Sequence, residues 1–487
     1  MRIAVFGAGH VGLVTGACFA GVGHDVRLFD VDPVRVEALR SGEIPFVEPG
    51  LEKIVTAAFA DGRLRAEHEP TAALAGAELV FICVPTATAS NGSADLSAVV
   101  AATETLAATA DHGTVIVNRS TAPVGTLGYI RSLLLEHGRS DLQVAVNPEF
   151  LAEGSAVADF LVPDRVVIGG WEDAAMTLVS DAYRPILDGE LPGTTPASVR
   201  QRAAGTTTPP ALLMANAPTV ELTKYAANAF LAVKVSFINE IASIAEKLGA
   251  DVGDIATAIG LDHRIGPHFL RAGLGWGGSC FPKDIRVLQG MAETSGVTPR
   301  ILAAANEVNM EQRLWVIRQL RSQLRTLIGR RVALLGIAFK PDTDDLRSAP
   351  ALEIATELAA MNVTVRGYDP VVSHVPGPAG EAIQLAPSAI EAARGADAVI
   401  LVTEWAEFAS ISLDELRAVM RTPLLLDGRN FFRPEAVRAA GFTYVGVGRG
   451  APDDAADMVN LVRLGEASQD GAPQDGDVAS VEVGASA

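Results

Sequence analysis

The chain repeats itself. Residues 2–12, RIAVFGAGHVG, are echoed by RVALLGIAFK at 331–340, and three more segments recur in the same order. VRLFDVDP at 26–33 matches VRGYDP at 365–370, GAELVFICVPT at 76–86 matches GADAVILVTEW at 395–405, and TVIVNRST at 114–121 matches PLLLDGRN at 423–430. Four short, apolar, β-leaning runs repeated in one order restrict the fold to α/β: two Rossmann-like parallel-sheet units, each with a ligand cleft at the carboxyl ends of its strands. The second copy has lost the GxGxxG of the first. It is therefore expected to bind something other than a second dinucleotide.

The first copy reads as a strand, a tight turn and a helix N-terminus. Gly7 makes the turn, Gly9 lets a pyrophosphate lie against backbone amides, and Gly12 lets the helix pack on the strand, with His10 and Val11 completing the loop that would line the cofactor. The next strand ends in Asp30, at the distance expected of a carboxylate that holds ribose hydroxyls. An acid there repels a 2′-phosphate, so the cofactor is read as NAD. Arg35 stands close enough to touch the cofactor as well, although an arginine at that place on a helix is more often a solvated side chain.

A net charge of −19 offers no basic stripe to displace counterions, so nucleic acid is not expected as a partner. Residues 3–22 are almost uncharged, but several glycines break them and only Arg2 precedes them, which suits neither a secretory leader nor a membrane span. Of the three cysteines, Cys18 and Cys83 fall in apolar elements and read as core, a usage expected of a cytoplasmic protein. The eight histidines have no metal-ligand spacing, and no metal is expected.

Between the copies, residues 219–248 form a long helical pattern, capped by Thr219 and stopped by Gly249. Glu221, Lys224 and Asn228 share one face of it. The third cysteine lies in GWGGSCFPKD at 275–284, where glycines surround Cys280 and Lys283 and Asp284 follow. Such a loop would present a nucleophilic thiol, with an ammonium favouring the thiolate. It would equally be a Gly-rich turn around a buried cysteine. The segment 191–218, rich in Pro, Thr and Ala, reads as an exposed loop or insertion, and 466–487, with five acids and no base, as a disordered tail.

These segments, with STAPVGT at 120–126, NPEFLAEG at 147–154, ELTKYAANAFLAVKVSFINE at 221–240 and GIAFKPDTDDLRSAPA at 336–351, resemble the UDP-glucose/GDP-mannose dehydrogenase family over residues 1–450. The resemblance implies an NAD-binding domain at 1–210, a central helical dimerisation domain carrying the cysteine loop at 219–325, and a domain at 326–450 that binds a UDP-sugar. It implies NAD-dependent, two-step oxidation of UDP-glucose to UDP-glucuronate by a homodimer or higher homo-oligomer. Cys280 would form the thiohemiacetal and thioester, Lys224 and Asn228 would hold the oxyanion, and Asp284 would position water or relay a proton. Glu149 and Thr121 resemble the family's water-activating and proton-handling pair, with Thr121 also beside the cofactor. Glu153, Lys283 and Arg347 are implied on the cofactor. Glu149, Phe150, Leu151, Phe269, Arg271, Gly275, Gly277, Phe339 and Lys340 are implied on the sugar nucleotide, together with Arg264, which a neighbouring subunit could supply.

Two departures stand out. Trp276 occupies a place where the family more often has Phe or Tyr, which would reshape the sugar pocket, and 191–218 is longer than the family pattern. GDP-mannose and UDP-N-acetylhexosamine remain alternative substrates. A single-step hydroxyacid dehydrogenase or an NAD-binding sensor would share the N-terminal signature, but neither needs Cys280.

Overall fold

The computed structural model describes residues 1–89 and 92–450, so the acidic segment 466–487 lies outside the described residues. Two sheets account for the repeat. The first contains β1 (Arg2–Phe6), β2 (Asp25–Phe29), β3 (Leu64–Glu67), β4 (Leu79–Ile82), β5 (Val115–Asn118), β6 (Gln143–Val146), β7 (Arg165–Gly170) and β8 (Ala211–Ala215), in the spatial order 3-2-1-4-5-6-7-8. The second contains β9 (Arg331–Leu335), β10 (Thr364–Tyr368), β11 (Ile383–Leu385), β12 (Ala398–Leu401), β13 (Leu424–Asp427) and β14 (Thr443–Gly446), ordered 11-10-9-12-13-14. The order 3-2-1-4-5-6 thus occurs twice. The four repeated sequence segments are β1, β2, β4 and β5 in one unit and β9, β10, β12 and β13 in the other. The pairing is parallel except between β6 and β7.

The strand sequences explain this burial. All four residues of β4, β5, β12 and β13 are buried, as expected when helices cover both faces of a parallel sheet. Two apolar clusters line the faces of the first sheet. A third runs from the second sheet into the central helices, through Trp315, Leu320 and Ile238.

The long helix runs from Ala217 to Leu248, about 48 Å at 1.5 Å per residue. Its cap is Asn216, whose side chain accepts from the Thr219 amide at 2.9 Å. Thr219 therefore lies inside the first turn, and Pro218 lies between it and the cap. Gly249 ends the helix at a left-handed φ of 68°. By length and composition this helix could cross a membrane. Here, however, it packs against the helices Phe281–Thr294 and Arg300–Leu324 and buries Glu221, Lys224, Asn228 and Asn239, as a core helix does.

The segment 191–218 is not a loop. It holds a helix, Ala197–Gly205, and β8, which extends the first sheet by pairing with β7 from Arg165↔Ala211 to Gly169↔Ala215. This edge strand is uniformly apolar, ALLMA, yet it lacks the cover that buries the inner strands. Leu212, Leu213 and Met214 accordingly stay exposed, and the flanking Thr and Pro residues hide the strand in the sequence.

Candidate active site

Three loops and the long helix meet at the carboxyl ends of the strands. At the first, Gly7 (φ 99°) turns away from β1 with its α-carbon so close to the next strand that a Cβ would lie 2.6 Å from the Cys83 carbonyl oxygen. A Cβ on Gly12 would land on the Gly7 carbonyl. Gly9 differs, because nothing lies within 4 Å of where its Cβ would be. The helix His10–Gly21 starts there, leaving an open cradle of amides beside Gly9 that a pyrophosphate fits. Asp30, buried at the end of β2, accepts from the Ala8 amide at 2.8 Å, the Asp32 amide at 3.0 Å and the Arg35 guanidinium at 3.1 Å. Arg35 thus neighbours the expected ribose position through Asp30. His10 bonds Glu48 at 2.9 Å, and Val11 packs on the core below.

Glu48, which sequence reasoning missed, is a hub. Its buried carboxylate also accepts from the Gly154 and Ala156 amides at 2.8 Å, joining the cofactor loop to the end of the NPEFLAEG segment. At the head of that segment lies a second missed network. Arg119 is buried and donates to Thr15 at 2.9 Å, Asn147 at 2.6 Å and Tyr183 at 2.7 Å, which holds the carboxyl ends of β5 and β6 together. The only signal was its place beside the STAPVGT motif. Thr121 follows, half-buried, with its carbonyl bound by Thr86 at 2.6 Å.

The chemistry concentrates around Cys280, which caps the helix Phe281–Thr294. Lys224 and Glu149, 75 residues apart in sequence, form a buried ion pair at 2.8 Å. Burial works against both charges, but their mutual attraction outweighs it: the pKa of Lys224 is raised and that of Glu149 lowered, so both stay ionised. Glu149 also accepts from the Leu151 amide at 2.6 Å, and the Phe150 ring lies 5.6 Å from the Lys224 ammonium. Asn228, one turn along from Lys224, donates to Asp284 at 2.6 Å, and Lys283 donates to the other Asp284 oxygen at 2.7 Å. Lys283 thus spends one of its donors on Asp284.

The thiol itself corrects an expectation. Burial raises the Cys280 pKa, the Glu149 charge raises it further, and Lys224 and the Ser279 hydroxyl only partly offset this. The balance at rest favours the thiol over the thiolate. Cys18 and Cys83 are buried thiols raised by the same desolvation, Cys83 to about 12.

The glycines of this loop also have a different explanation from substrate approach. A Cβ on Gly277 would strike the Ser348 carbonyl, one on Gly275 the Asn309 and Arg313 side chains, and one on Gly278 (φ 84°) the Phe339 ring at 2.7 Å. Gly277 and Gly278 let the cysteine loop press on the second unit, and Gly275 lets it press on the central helix Arg300–Leu324. Trp276 is buried, donating to Ser236 at 3.0 Å and meeting Phe281 edge-on, so it packs against the long helix instead of lining a sugar pocket.

From the second unit, the segment after β9 brings Phe339, Lys340, Asp345 and Arg347 to the same place. Arg347 pairs with Asp345 at 2.7 Å and reaches Glu153 at 3.2 Å. Lys340 lies 5.5 Å from the Phe339 ring, and burial lowers its pKa against the pull of Glu153 and Glu48. Phe269 and Arg271 are exposed on the segment leading into the cysteine loop, with Phe269 6.4 Å from Phe281. Arg264 is not brought in by its own chain. It is exposed and clamped to Asp262 at 2.6 Å. Among the described residues no cluster of three or more His, Cys, Asp or Glu is placed to hold a metal.

The site therefore pairs a thiol with an adjacent ammonium, two fixed carboxylates and an open dinucleotide cradle. Comparisons with known proteins agree with it. Residues 1–187 match the NAD binding domain of the UDP-glucose/GDP-mannose dehydrogenase family, 218–311 its central domain and 333–434 its UDP binding domain. UDP-glucose 6-dehydrogenases of Rhizobium meliloti and Pseudomonas aeruginosa are 41% and 43% identical to it, each over 92% of this chain and 100% and 98% of their own. The solved UDP-glucose dehydrogenase of Pyrobaculum islandicum superposes with a TM-score of 0.80 at 34% identity, over 92% of this chain and 98% of its own. The chain belongs to the UDP-glucose/GDP-mannose dehydrogenase family, enzymes that use NAD.

Proposed function

We propose that this chain oxidises the C6 alcohol of UDP-glucose to the carboxylate of UDP-glucuronate, using two NAD. The observation that carries the reading is the juxtaposition, in one site, of the Cys280 thiol with the Lys224–Glu149 pair and the Asn228–Asp284–Lys283 cluster. A four-electron oxidation passes through an aldehyde that must not escape, and a thiol can hold it as a thiohemiacetal.

NAD, when bound at the Gly7–Gly12 loop, accepts a hydride in each of the two oxidations. The Lys224 ammonium and the Asn228 amide, fixed on a rigid helix, stabilise negative charge on the substrate oxygen, an effect worth about 10²–10³ in rate per donor. Cys280 adds to the aldehyde and, after the second oxidation, is left as a thioester. Glu149, buried and ionised, activates the water that hydrolyses it, with Thr121 handling a proton, and Asp284 orients the water through its own fixed hydrogen bonds. Phe339 and Lys340 meet the sugar nucleotide from the second unit, and Phe150, Leu151, Phe269 and Arg271 line its approach.

The long helix supports a dimer. Leu222, Phe230, Phe237 and Ile244 are exposed along it, an apolar face that a second copy would cover and beside which the partner's Arg264 could enter. A reduced thiol as nucleophile suits the cytoplasm.

The test is turnover of NAD with a panel of UDP- and GDP-sugars. UDP-glucose should be oxidised fastest, with two NADH per uronate. Faster oxidation of GDP-mannose or a UDP-N-acetylhexosamine would replace the substrate, and no oxidation of any would overturn the reading.

A further inference from the structure

Forming the thiohemiacetal requires the thiol to lose a proton, and the site's obvious bases are poorly placed to take it. Glu149 is held by Lys224 at 2.8 Å, and Asp284 by Lys283 at 2.7 Å and Asn228 at 2.6 Å. Neither carboxylate is hydrogen-bonded to the Cys280 sulfur. Lys340 and Arg347 are the other charged groups that reach the sulfur electrostatically, and both are cations.

One hydroxyl remains. Ser279 Oγ lies 3.4 Å from Cys280 Sγ and, on its other side, donates to Glu153 Oε1 at 2.9 Å. Because the serine proton points at Glu153, its lone pair faces the thiol. The remaining Glu153 oxygen, Oε2, is buried with no donor aimed at it. A buried carboxylate oxygen without a donor is a place prepared for a proton.

We propose that Ser279 is a catalytic relay that passes the Cys280 thiol proton to Glu153 as the sulfur attacks the aldehyde. The proposal deepens the reading above and rests on it. The S–H bond breaks and its proton moves to Ser279 Oγ, while the serine's own proton moves to Glu153. The sulfur pair forms the S–C bond, and the carbonyl π pair moves onto the oxygen held by Lys224 and Asn228. When the second hydride leaves to the nicotinamide cofactor, that oxygen re-forms its carbonyl in the thioester. One proton is then left on Glu153, which accounts for the thiol's hydrogen.

Two features support the acceptor. Burial and the neighbouring Asp345 charge raise the Glu153 pKa, making it a stronger base than Glu149, whose pKa is lowered. Arg347 also holds Glu153 beside Asp345, whose carboxylate is within hydrogen-bond reach and is the next acceptor for a proton on Glu153.

The experiment is a single turnover of the full-length protein supplied either with UDP-glucose or with its 6-aldehyde. Ser279→Ala should leave the first NADH burst within about threefold of wild type and slow oxidation of the aldehyde about 100-fold, the usual scale of a lost proton-transfer group. Ser279→Thr, which keeps the hydroxyl, should recover most of that loss. An alanine variant within threefold of wild type on the aldehyde would overturn the relay. So would a threonine variant as slow as alanine, since the residue would then act through packing. Alkylation of Cys280 by iodoacetamide separates this from failure of the substrate assignment. Even if no sugar nucleotide is oxidised, the thiol's titration midpoint should rise in Ser279→Ala and return in Ser279→Thr, and an unchanged midpoint would overturn the proposal.

Discussion

The two sheet units share a strand order, a turn and an acid, yet only one has a dinucleotide cradle. Gly7 and Gly336 both sit at positive φ (99° and 87°) because the chain must pass the end of the neighbouring strand, at Cys83 in one unit and Thr403 in the other. That glycine serves the fold. Gly9 leaves room for the ligand and Gly12 lets the helix start close against the turn, and the second unit puts Ala338 and Pro341 in their places. The result is visible in the backbone. A helix starts at His10 directly after the first turn, whereas in the second unit no helix starts until Pro350, and the released segment instead carries Phe339, Lys340, Asp345 and Arg347 onto the cysteine loop. The acids diverge in the same way. Asp30 accepts two amides and one surface arginine, while Asp369 accepts the amides of Ile337, Ala338, Val371 and Val372 and the Trp405 indole. A carboxylate saturated by its own protein has no capacity left for a ribose. Loss of GxGxxG therefore marks a converted unit, in agreement with its match to a UDP binding domain.

The comparison breaks most readily at Gly12. Gly12→Ala drives a Cβ into the Gly7 carbonyl, so NAD affinity should fall by about 100-fold or more and stability by about 1–3 kcal/mol. UDP binding, measured by calorimetry, should change less than twofold. Equal losses for both ligands would mean that the units are not separate sites.

Next in size is Asp30→Ala. Removing a charged acceptor worth about 1.5–3 kcal/mol should weaken NAD about 10- to 100-fold and free Arg35 for a 2′-phosphate, relaxing the NAD preference in kcat/KM. Comparable wild-type values with NAD and NADP would contradict the ribose assignment. The counterpart, Asp369→Asn, should leave cofactor preference unchanged and cost about 1–3 kcal/mol in denaturant unfolding, because donors are left facing an amide. A change in cofactor KM would show that the second unit touches the dinucleotide. Smallest is Lys340→Ala, expected to raise the KM for the sugar nucleotide about tenfold at an unaltered KM for NAD, the loss of roughly one charged hydrogen bond.

Much of this was legible in sequence because the repeat lies in strands whose apolar runs are set by burial on both faces. The two parallel-sheet units with their separate clefts follow from it, whereas the company Cys280 keeps came from the resemblance to the family. What escaped has physical reasons. The edge strand β8 is a short apolar run, ALLMA, set in a Thr- and Pro-rich stretch that reads as loop, and a helix cap moved from Thr219 to Asn216 because both are capping residues and only geometry chooses between them. Glu48 and Arg119 act through partners about 30 to 110 residues away, and no local pattern announces a long-range hydrogen bond. For the thiol, sequence offers Lys283 as the nearby ammonium, whereas in the fold that lysine pairs with Asp284 and Lys224 supplies the opposing charge against burial.

The central claim is that Cys280, set between a dinucleotide unit and a converted one, carries the aldehyde covalently, and NADH formed per uronate tests it most directly. Wild type should give two, with little free aldehyde. Cys280→Ala should bind NAD normally, since the Gly7–Gly12 loop belongs to a separate element, yet complete no four-electron turnover. Two NADH per uronate from Cys280→Ala at a near wild-type rate would contradict the account.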